Sequence, residues 1–564
     1  MKRYGAFLIA IVGAIALAIF STTPPNPSPK DAPPSEFSAA RAMDDVRIIA
    51  ARPHPTGSEA NTQVREYLVQ RLTTIGLEVR TDAVPISAGA NGRLAFWRGS
   101  EGPAPDLVNI IAVLPGKDRS KPALALMAHY DSVWDSPGAS DDAAGVAAIL
   151  ETLRAIQTDG TPGRDIVALI TDAEELGLEG AAHFFANDPL RTRIGTIINT
   201  EARGGGGRTT MFQTSQDNGV AMRVFQDNVS RPATSSLGVF IYNLLPNDTD
   251  LTPALEGPYT AYNFAFIGRP GLYHSPLITP ARLDQGSLQD MGAQVLDLTR
   301  ALATAEELPQ KSPDLTFFDF FGLFTIAYAP VFGWVMLGIG GLAYAGAVWG
   351  KFDGKALLQG AGKSAALVVM CGFLLYIGNL VTGADGPVQY YDRLAAIPKL
   401  ERMALLAALA SVFLVLYKGS GGPSDWAGFA LPIILLAAAG QAVAPTAAYF
   451  IVITVMLGGV AAFALVKFGA VVGKTFAIIC AVLVAGYMIA LGHQFMQGVG
   501  PELPMVAALP LVLGMALLLP FWPASSFKRA AIGSAMFTAA MFGIALWIRL
   551  DPIAETAASF GRFS

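Results

Sequence analysis

The hydrophobic pattern changes character twice along the chain. "MKRYGAFLIAIVGAIALAIF" places two cations ahead of about sixteen mostly apolar residues, the pattern of a signal anchor. The Pro-rich "TTPPNPSPKDAPPS" that follows reads as an extended spacer. From about Glu36 to Pro309, short apolar runs alternate with segments of helical spacing. "NTQVREYLVQRLTTIG" repeats its apolar positions at helical intervals and stops at a glycine, and "AAGVAAILETLRAI" reads as a second helix. "DLVNIIAVLPG", "PALALMAHYD", "DIVALITD" and "GTIINTE" read as buried strands. Unbroken apolar strands alternating with helices predict an α/β domain with a mixed, mostly parallel sheet flanked by helices. In such sheets, sites collect at the carboxyl ends of the strands.

Beyond about residue 320 the pattern becomes eight apolar blocks, roughly 329–349, 364–383, 403–418, 427–443, 447–466, 475–492, 504–522 and 531–548. Each is close to the ~20 residues that cross a bilayer as a helix. The predicted organisation is therefore an anchor at 1–22, a linker at 23–35, an α/β domain at 36–310 and an all-α transmembrane domain of about eight helices at 311–564. "FFDFFGLFTIAY", just before the first block, reads as an interfacial segment or part of a span. Alternate loops on one side hold Lys351, Lys355, Lys363, Lys418, Lys467, Lys474, Lys528 and Arg529, joined by Lys2 and Arg3. The other side holds Arg393, Lys399, Arg402, Arg549 and Arg562. Because cations prefer the cytoplasmic side, ten against five predicts nine spans, with the α/β domain and the C-terminus on the extracytoplasmic side, periplasmic or lumenal.

Composition sharpens this picture. The chain is 52% apolar and 15% charged, where a soluble domain carries roughly 25% charge, so the lipid bilayer is an expected partner. A formal charge of −5 and the lack of any Lys/Arg-rich run exclude nucleic acid as an expected partner. Both cysteines, Cys371 and Cys480, fall in apolar blocks, so any metal held by the α/β domain must be held by histidine and carboxylate. The spans show few ionisable residues of the kind that transport leaves behind. The membrane domain reads as an anchor, a surface for homo-oligomers or a substrate gate.

The candidate chemistry lies where the strand-like runs end. The runs finish in His129-x-Asp131, in Glu174-Glu175, in Glu201 and, after "FAFIGRPGL", in Tyr273-His274. So many carboxylates on one rim would repel one another and raise each other's pKa. A pair of divalent cations resolves the conflict. Mixed His/carboxylate ligation without thiolate suits Zn²⁺, and two metals roughly 3.5 to 4 Å apart form a co-catalytic pair. No G-x-S-x-G or H-E-x-x-H is present, so serine hydrolases and helix-borne zincins are disfavoured.

In chain order, "HYDS", "PGASDDAAG", "DAEELGLEGAAHF", "NTEARGGGG" and "GLYHSP" resemble the M28 zinc peptidases, specifically their membrane-bound branch. One span before the domain and eight after it fit the same branch. The resemblance implies that His129, Asp141 and Glu201 hold one of two Zn²⁺ ions, and that Asp141, Glu175 and His274 hold the other. Asp141 is then the bridge. It implies Glu174 as general base, Asp131 as acceptor of the second ring N–H of His129, Tyr273 as donor to the oxyanion, and a cis peptide between Asp141 and Asp142. The activity implied is peptide hydrolysis, with an aminopeptidase preferred.

The alternatives on the same scaffold are a carboxypeptidase, for which Arg203 is the residue to inspect as a substrate-binding group, and a glutaminyl cyclase-like enzyme using one zinc. A receptor or transport-associated protein with an inactive peptidase domain is the rival of a different class. Asp135 and Asp142 read as turn-forming or solvated acids, and His54, His183 and His493 as structural or interfacial. "GGGG" after Glu201 lacks the Lys-Ser/Thr of a phosphate loop; it reads as backbone kept bare for close approach to metals or substrate.

Overall fold

A run as apolar as "ALALMAH" is stable as a strand only if both of its faces are covered. The computed structural model, which describes residues 3–386 and 390–551, satisfies that condition. The chain opens with α1 (Arg3–Thr22). It then runs through α2 (Ala39–Ile49), α3 (Glu59–Ile75), β1 (Glu78–Pro85), α4 (Ala88–Arg98), β2 (Asp106–Leu114) and β3 (Ala123–His129). There follow α5 (Ala143–Asp159), β4 (Ile166–Thr171), α6 (Glu179–Asn187), β5 (Ile194–Ala202), β6 (Gly206–Thr214), α7 (Gly219–Asn228), α8 (Ser236–Tyr242), β7 (Thr260–Gly268) and α9 (Gln285–Thr304). The seven strands form one sheet in the order β1-β2-β4-β3-β5-β7-β6. Its centre, β4-β3-β5-β7, is parallel, and β1, β2 and β6 join antiparallel at the edges.

Every residue of β3 is buried. Leu124 and Leu126 pack with α2, α3, α5 and α9 on one face, and Ala125 and Met127 pack toward Phe184 and Ile197 on the other. Burying each such Leu or Met side chain is worth roughly 1.5–3 kcal/mol, which holds the central strands in register. That register sets His129 opposite Thr171 and Glu201 opposite Ala265, so the polar ends of neighbouring strands finish at one rim. The helix predicted from "NTQVREYLVQRLTTIG" is α3, capped by Ser58 and ended by Gly76 in a left-handed conformation.

The Pro-rich segment is not a free spacer. Ser28 N–H donates to Gln289 of α9, and the Arg41 guanidinium of α2 donates to the carbonyls of Lys30 and Ala32. Nearby, α9 is pressed so closely that a Cβ on Gly292 would lie 2.0 Å from the buried ring of Phe37. Gly292→Ala is expected to lower stability by about 1–3 kcal/mol through this overlap. Thermal unfolding of the detergent-solubilised chain measures it, and Phe37→Leu in the same chain should recover part of the loss.

"FFDFFGLFTIAY" is not part of a helical span. It is a two-stranded hairpin of β8 (Thr316–Asp319) and β9 (Thr325–Tyr328). The Ser236 hydroxyl pins β8 by bonding both the N–H and the C=O of Phe317, whose ring is fully buried.

The remaining chain forms a separate helical unit with α1. It comprises α10 (Phe332–Val348), α11 (Gly354–Val381), α12 (Tyr390–Val415), α13 (Pro423–Val443), α14 (Tyr449–Lys467), α15 (Lys474–Gly498), α16 (Ala508–Leu518) and α17 (Phe527–Leu550). Each of the eight predicted blocks falls on one of these helices. Among the described residues, seven helical segments are long and apolar enough to cross a membrane. Two predicted spans fall short of that. α10 has 17 residues. α12 carries Asp392, Arg393, Lys399, Glu401 and Arg402 in its first half, which leaves an apolar part, 403–415, below the ~20 residues a span needs.

The assignment of Arg393, Lys399 and Arg402 to an outer loop is corrected accordingly: all three lie within α12, where two of them have partners inside the unit. Arg393 donates to Asn379, Thr382 and the carbonyl of Pro501, and Lys399 pairs with Asp551. Lys2 and Arg562 of the charge count lie outside the described residues. His493 is tied to Glu401 at 2.7 Å. A half-buried Lys363 pairs with the buried Asp425 at 2.7 Å and links α11 to α13.

Candidate metal centre

His129 is the last residue of β3, and its ring is fully buried. Its Nε2 lies 3.0 Å from Oδ1 of Asp141 and 3.8 Å from Glu201 Oε2. Asp141 returns over His129 because the intervening loop is tied down. Ser132 and Ser136 hydroxyls bond to the carbonyls of Ser136 and Ser275, and the Ala143 N–H donates to the Gly138 carbonyl. The second oxygen of Asp141, Oδ2, lies 3.1 Å from Nε2 of His274, which also stands 3.3 Å from Glu175 Oε2. Asp141 thus sits between two imidazoles, with one oxygen toward each. The Asp141–Asp142 peptide is cis.

Three overlapping sets of ligand atoms result, each within 4.8 Å: His129, Asp141 and Glu201; Asp141, Glu175 and His274; and His129, Glu174 and Glu175. The first two sets share Asp141. Glu174 stands 4.0 Å from His129 Nε2 at the mouth of the cluster.

Asp131 does more than the sequence suggested. The Nδ1 of His129 is 3.0 Å from the backbone carbonyl of Asp131 and 3.4 Å from its carboxylate. The same carboxylate accepts the backbone N–H groups of both Glu174 and Glu175, at 3.1 and 3.2 Å. It therefore orients the imidazole and fixes the turn that presents the two glutamates. Behind it, Thr56 donates to Asp172, and Asp172 accepts from Tyr130 and from the N–H of Val108. His54 is buried beside this network, its N–H donating to Ser132.

Tyr273 and His274 do not end a strand. β7 stops at Gly268, a short 3-10 turn follows, and His274 takes a left-handed conformation, φ 54°. This reversal swings its ring back over Asp141, with the Tyr273 ring stacked on it at 3.7 Å. Among the glycines after Glu201, a Cβ on Gly204 would lie 2.2 Å from the carbonyl of Gly268, so this glycine lets the start of β6 meet the end of β7. Arg203, half-buried, follows two residues after Glu201. Asp142 is not solvated but fully buried, and its carboxylate caps α5 by accepting the Gly145 N–H. Asp135 is exposed in a left-handed turn, and His183 bonds Asp82 on the surface of α6.

Asp250 was invisible in the sequence. It is fully buried and accepts a short hydrogen bond from Thr171, the last residue of β4. "NDTDLT" follows no strand-like run, and only the fold carries it to the rim.

The electrostatics match a largely buried anionic cluster. Burial, then the charge of Glu175, pushes Glu174 well above the ordinary carboxylate range against the pull of His129. Burial and the charge of Glu174 do the same to Glu201. Burial, with the Asp141 charge, raises Glu175. Burial also raises Asp250, to about 6. Asp141 is the exception: burial works against its charge, but hydrogen bonds from both imidazoles hold it at about 2. Burial opposes charge on His129 as well, yet hydrogen bonds to Asp131 and Asp141 raise it.

Residues 109–299 match the family model described as peptidase family M28. Mouse endoplasmic reticulum metallopeptidase 1 is 31% identical over 307 residues, covering 52% of this chain and 34% of that protein. The vacuolar membrane protease of Yarrowia lipolytica is 26% identical over 333 residues, covering 55% and 32%. The chain spans about a third of the length of these curated relatives. Among solved structures, an aminopeptidase from Aneurinibacillus sp. strain AM-1 aligns at 15% identity and a TM-score of 0.40, over 50% of this chain and 97% of that one. The strand ends, the two histidines and the acids of the cluster all lie inside the segment that matches peptidase family M28, and the chain is similar to endoplasmic reticulum metallopeptidase 1 and to vacuolar membrane protease.

Proposed function

We propose that the chain is a membrane-anchored metallopeptidase that holds two zinc ions, one by His129, Asp141 and Glu201 and the other by Asp141, Glu175 and His274. The observation that carries this is the position of Asp141, one oxygen toward each histidine, with a glutamate completing each side. The donor set fits the metal. Glu175 Oε1 and Glu201 Oε1 are buried with no hydrogen-bond partner among the described residues, a costly state for a carboxylate unless a cation satisfies it. Nitrogen and carboxylate donors without thiolate suit Zn²⁺. Bound zinc supplies a Lewis acid and lowers the pKa of water toward neutrality.

The chain's own groups do the rest. Glu174, held by its backbone to Asp131, takes a proton from the attacking water and returns it to the leaving amine. Tyr273 donates to the developing oxyanion. The carboxylates around the cluster pair with a free α-amine, which supports an aminopeptidase. The reading puts this chemistry at the membrane and on its extracytoplasmic side, supported by the apolar helices and by the cation bias of the loop sequences.

A panel of peptides with free and blocked termini, incubated with the purified full chain, tests the reading. Peptides with a free N-terminus are expected to be cleaved whether or not the C-terminus is blocked. A chelator should abolish the cleavage and zinc should restore it. Cleavage of N-blocked but not C-blocked peptides would assign a carboxypeptidase and turn attention to Arg203; activity that survives the chelator would sink the metal mechanism.

A further inference from the structure

A hairpin turn that faces water is ordinarily built from Asn, Asp and Gly. The turn between β8 and β9 reads Phe320-Phe321-Gly322-Leu323 instead, closed by the Leu323 N–H donating to the Phe320 carbonyl. Phe321 and Gly322 both take positive φ, 54° and 73°, a left-handed pair that a bulky Phe adopts only against strain. The fold holds it there. The Phe321 ring is buried, the Asp319 carboxylate accepts the N–H groups of Gly322 and Thr234, and a Cβ on Gly322 would lie 2.6 Å from the Arg208 guanidinium. Leu323 and Phe324 are turned outward as a result, 53% and 50% exposed, with the Phe320 ring stacked on Phe324 at 5.1 Å. The tip is a rigid apolar knuckle.

Two observations identify what covers it. The first is continuity. From Phe320 to Gly350 the chain carries no charged residue, and only three residues separate the end of β9 from the apolar helix α10, around whose start Val331, Phe332, Trp334 and Val335 are exposed. The second is the exit of α1, a helix long and apolar enough to cross a membrane. Arg231 donates to the carbonyl of Thr23, the residue after that helix. Arg208, the side chain packed against Gly322, donates in turn to the carbonyls of Arg231 and Pro232. One buried guanidinium therefore ties the hairpin turn to the point where α1 ends.

We propose that the β8–β9 turn is a lipid-binding element, with Leu323 and Phe324 seated at the headgroup boundary of the bilayer, on the surface from which α1 emerges. Apolar and aromatic side chains free of charge partition to that boundary. The turn gives the α/β domain a third hold on the membrane besides its two covalent links, and so restricts its tumbling about them. The inference rests on the membrane reading of the helices and not on the chemistry of the cluster.

Leu323→Cys and Phe324→Cys, each spin-labelled in the full chain reconstituted in phosphatidylcholine vesicles, test this through collision with dissolved oxygen and with a water-soluble nickel chelate. Both positions are exposed, so the fold should tolerate the label. The two native cysteines are buried, and the unaltered chain treated in parallel gives their background. The oxygen-to-nickel ratio at both tip positions is expected to exceed, by roughly threefold or more, that of a label at Glu66→Cys on the exposed side of α3, as for side chains about 5–10 Å into the headgroup boundary. A label at Val369→Cys, 69% exposed midway along α11, gives the lipid reference. A tip ratio equal to that at Glu66 while Val369 reads lipid would overturn the proposal. A tip shielded from both probes would overturn it too, because a second copy or another part of the chain would then cover it. A nickel-accessible Val369 would instead sink the membrane reading on which the proposal stands.

Discussion

Glu174→Gln is expected to lower peptide hydrolysis by roughly 10²–10⁴-fold, the worth of a positioned general base, while zinc content and melting temperature stay close to those of the unaltered chain. The amide fills the same space, and the backbone N–H that Asp131 holds is untouched. What is lost is the ability to accept a proton. The side chain stands beside the two sets of atoms that share Asp141 rather than inside either of them, so the metals should remain. Steady-state kinetics together with elemental analysis of the same preparation test this. Zinc lost in step with activity would make Glu174 a ligand, through the alternative set with His129 and Glu175.

The second large effect concerns the bridge. Asp141→Asn is expected to remove both ions together, because one carboxylate serves both histidines. Each side then loses the charge that balances a divalent cation in a buried site. Elemental analysis should show zinc falling from two ions per chain to fewer than one, with hydrolysis falling at least as far as in Glu174→Gln. Loss of one ion with the other still fully bound would show that Asp141 is not shared.

These two positions also mark how far the chain could be read before folding. β2, β3, β4 and β5 were legible because strands covered on both faces must be nearly free of polar residues, and that demand writes a plain pattern. The edge strand β1, "EVRTDAVP", was not legible. It is paired only with β2 and exposed along much of its length, so nothing forces its composition to differ from that of a loop. His274 was legible as a candidate but misplaced, because the six residues after β7 turn through a left-handed reversal that no periodicity encodes. The charges of α12 were mistaken for a loop because their partners, Asn379, Thr382, Pro501 and Asp551, come from other helices.

The sequence by itself determined the α/β character of residues 36–310, the apolar blocks that follow and the kinds of donor atom available for a metal. These follow from local demands: burial on two faces, the thickness of a bilayer, the chemistry of histidine and carboxylate. The tertiary structure alone decided that Asp131 holds the turn of Glu174 and Glu175, that Asp142 caps α5 and that Asp250 reaches the strand ends. Each of those depends on segments far apart in the chain being packed together, and hydrogen bonds of that kind leave no pattern in the residues that flank them.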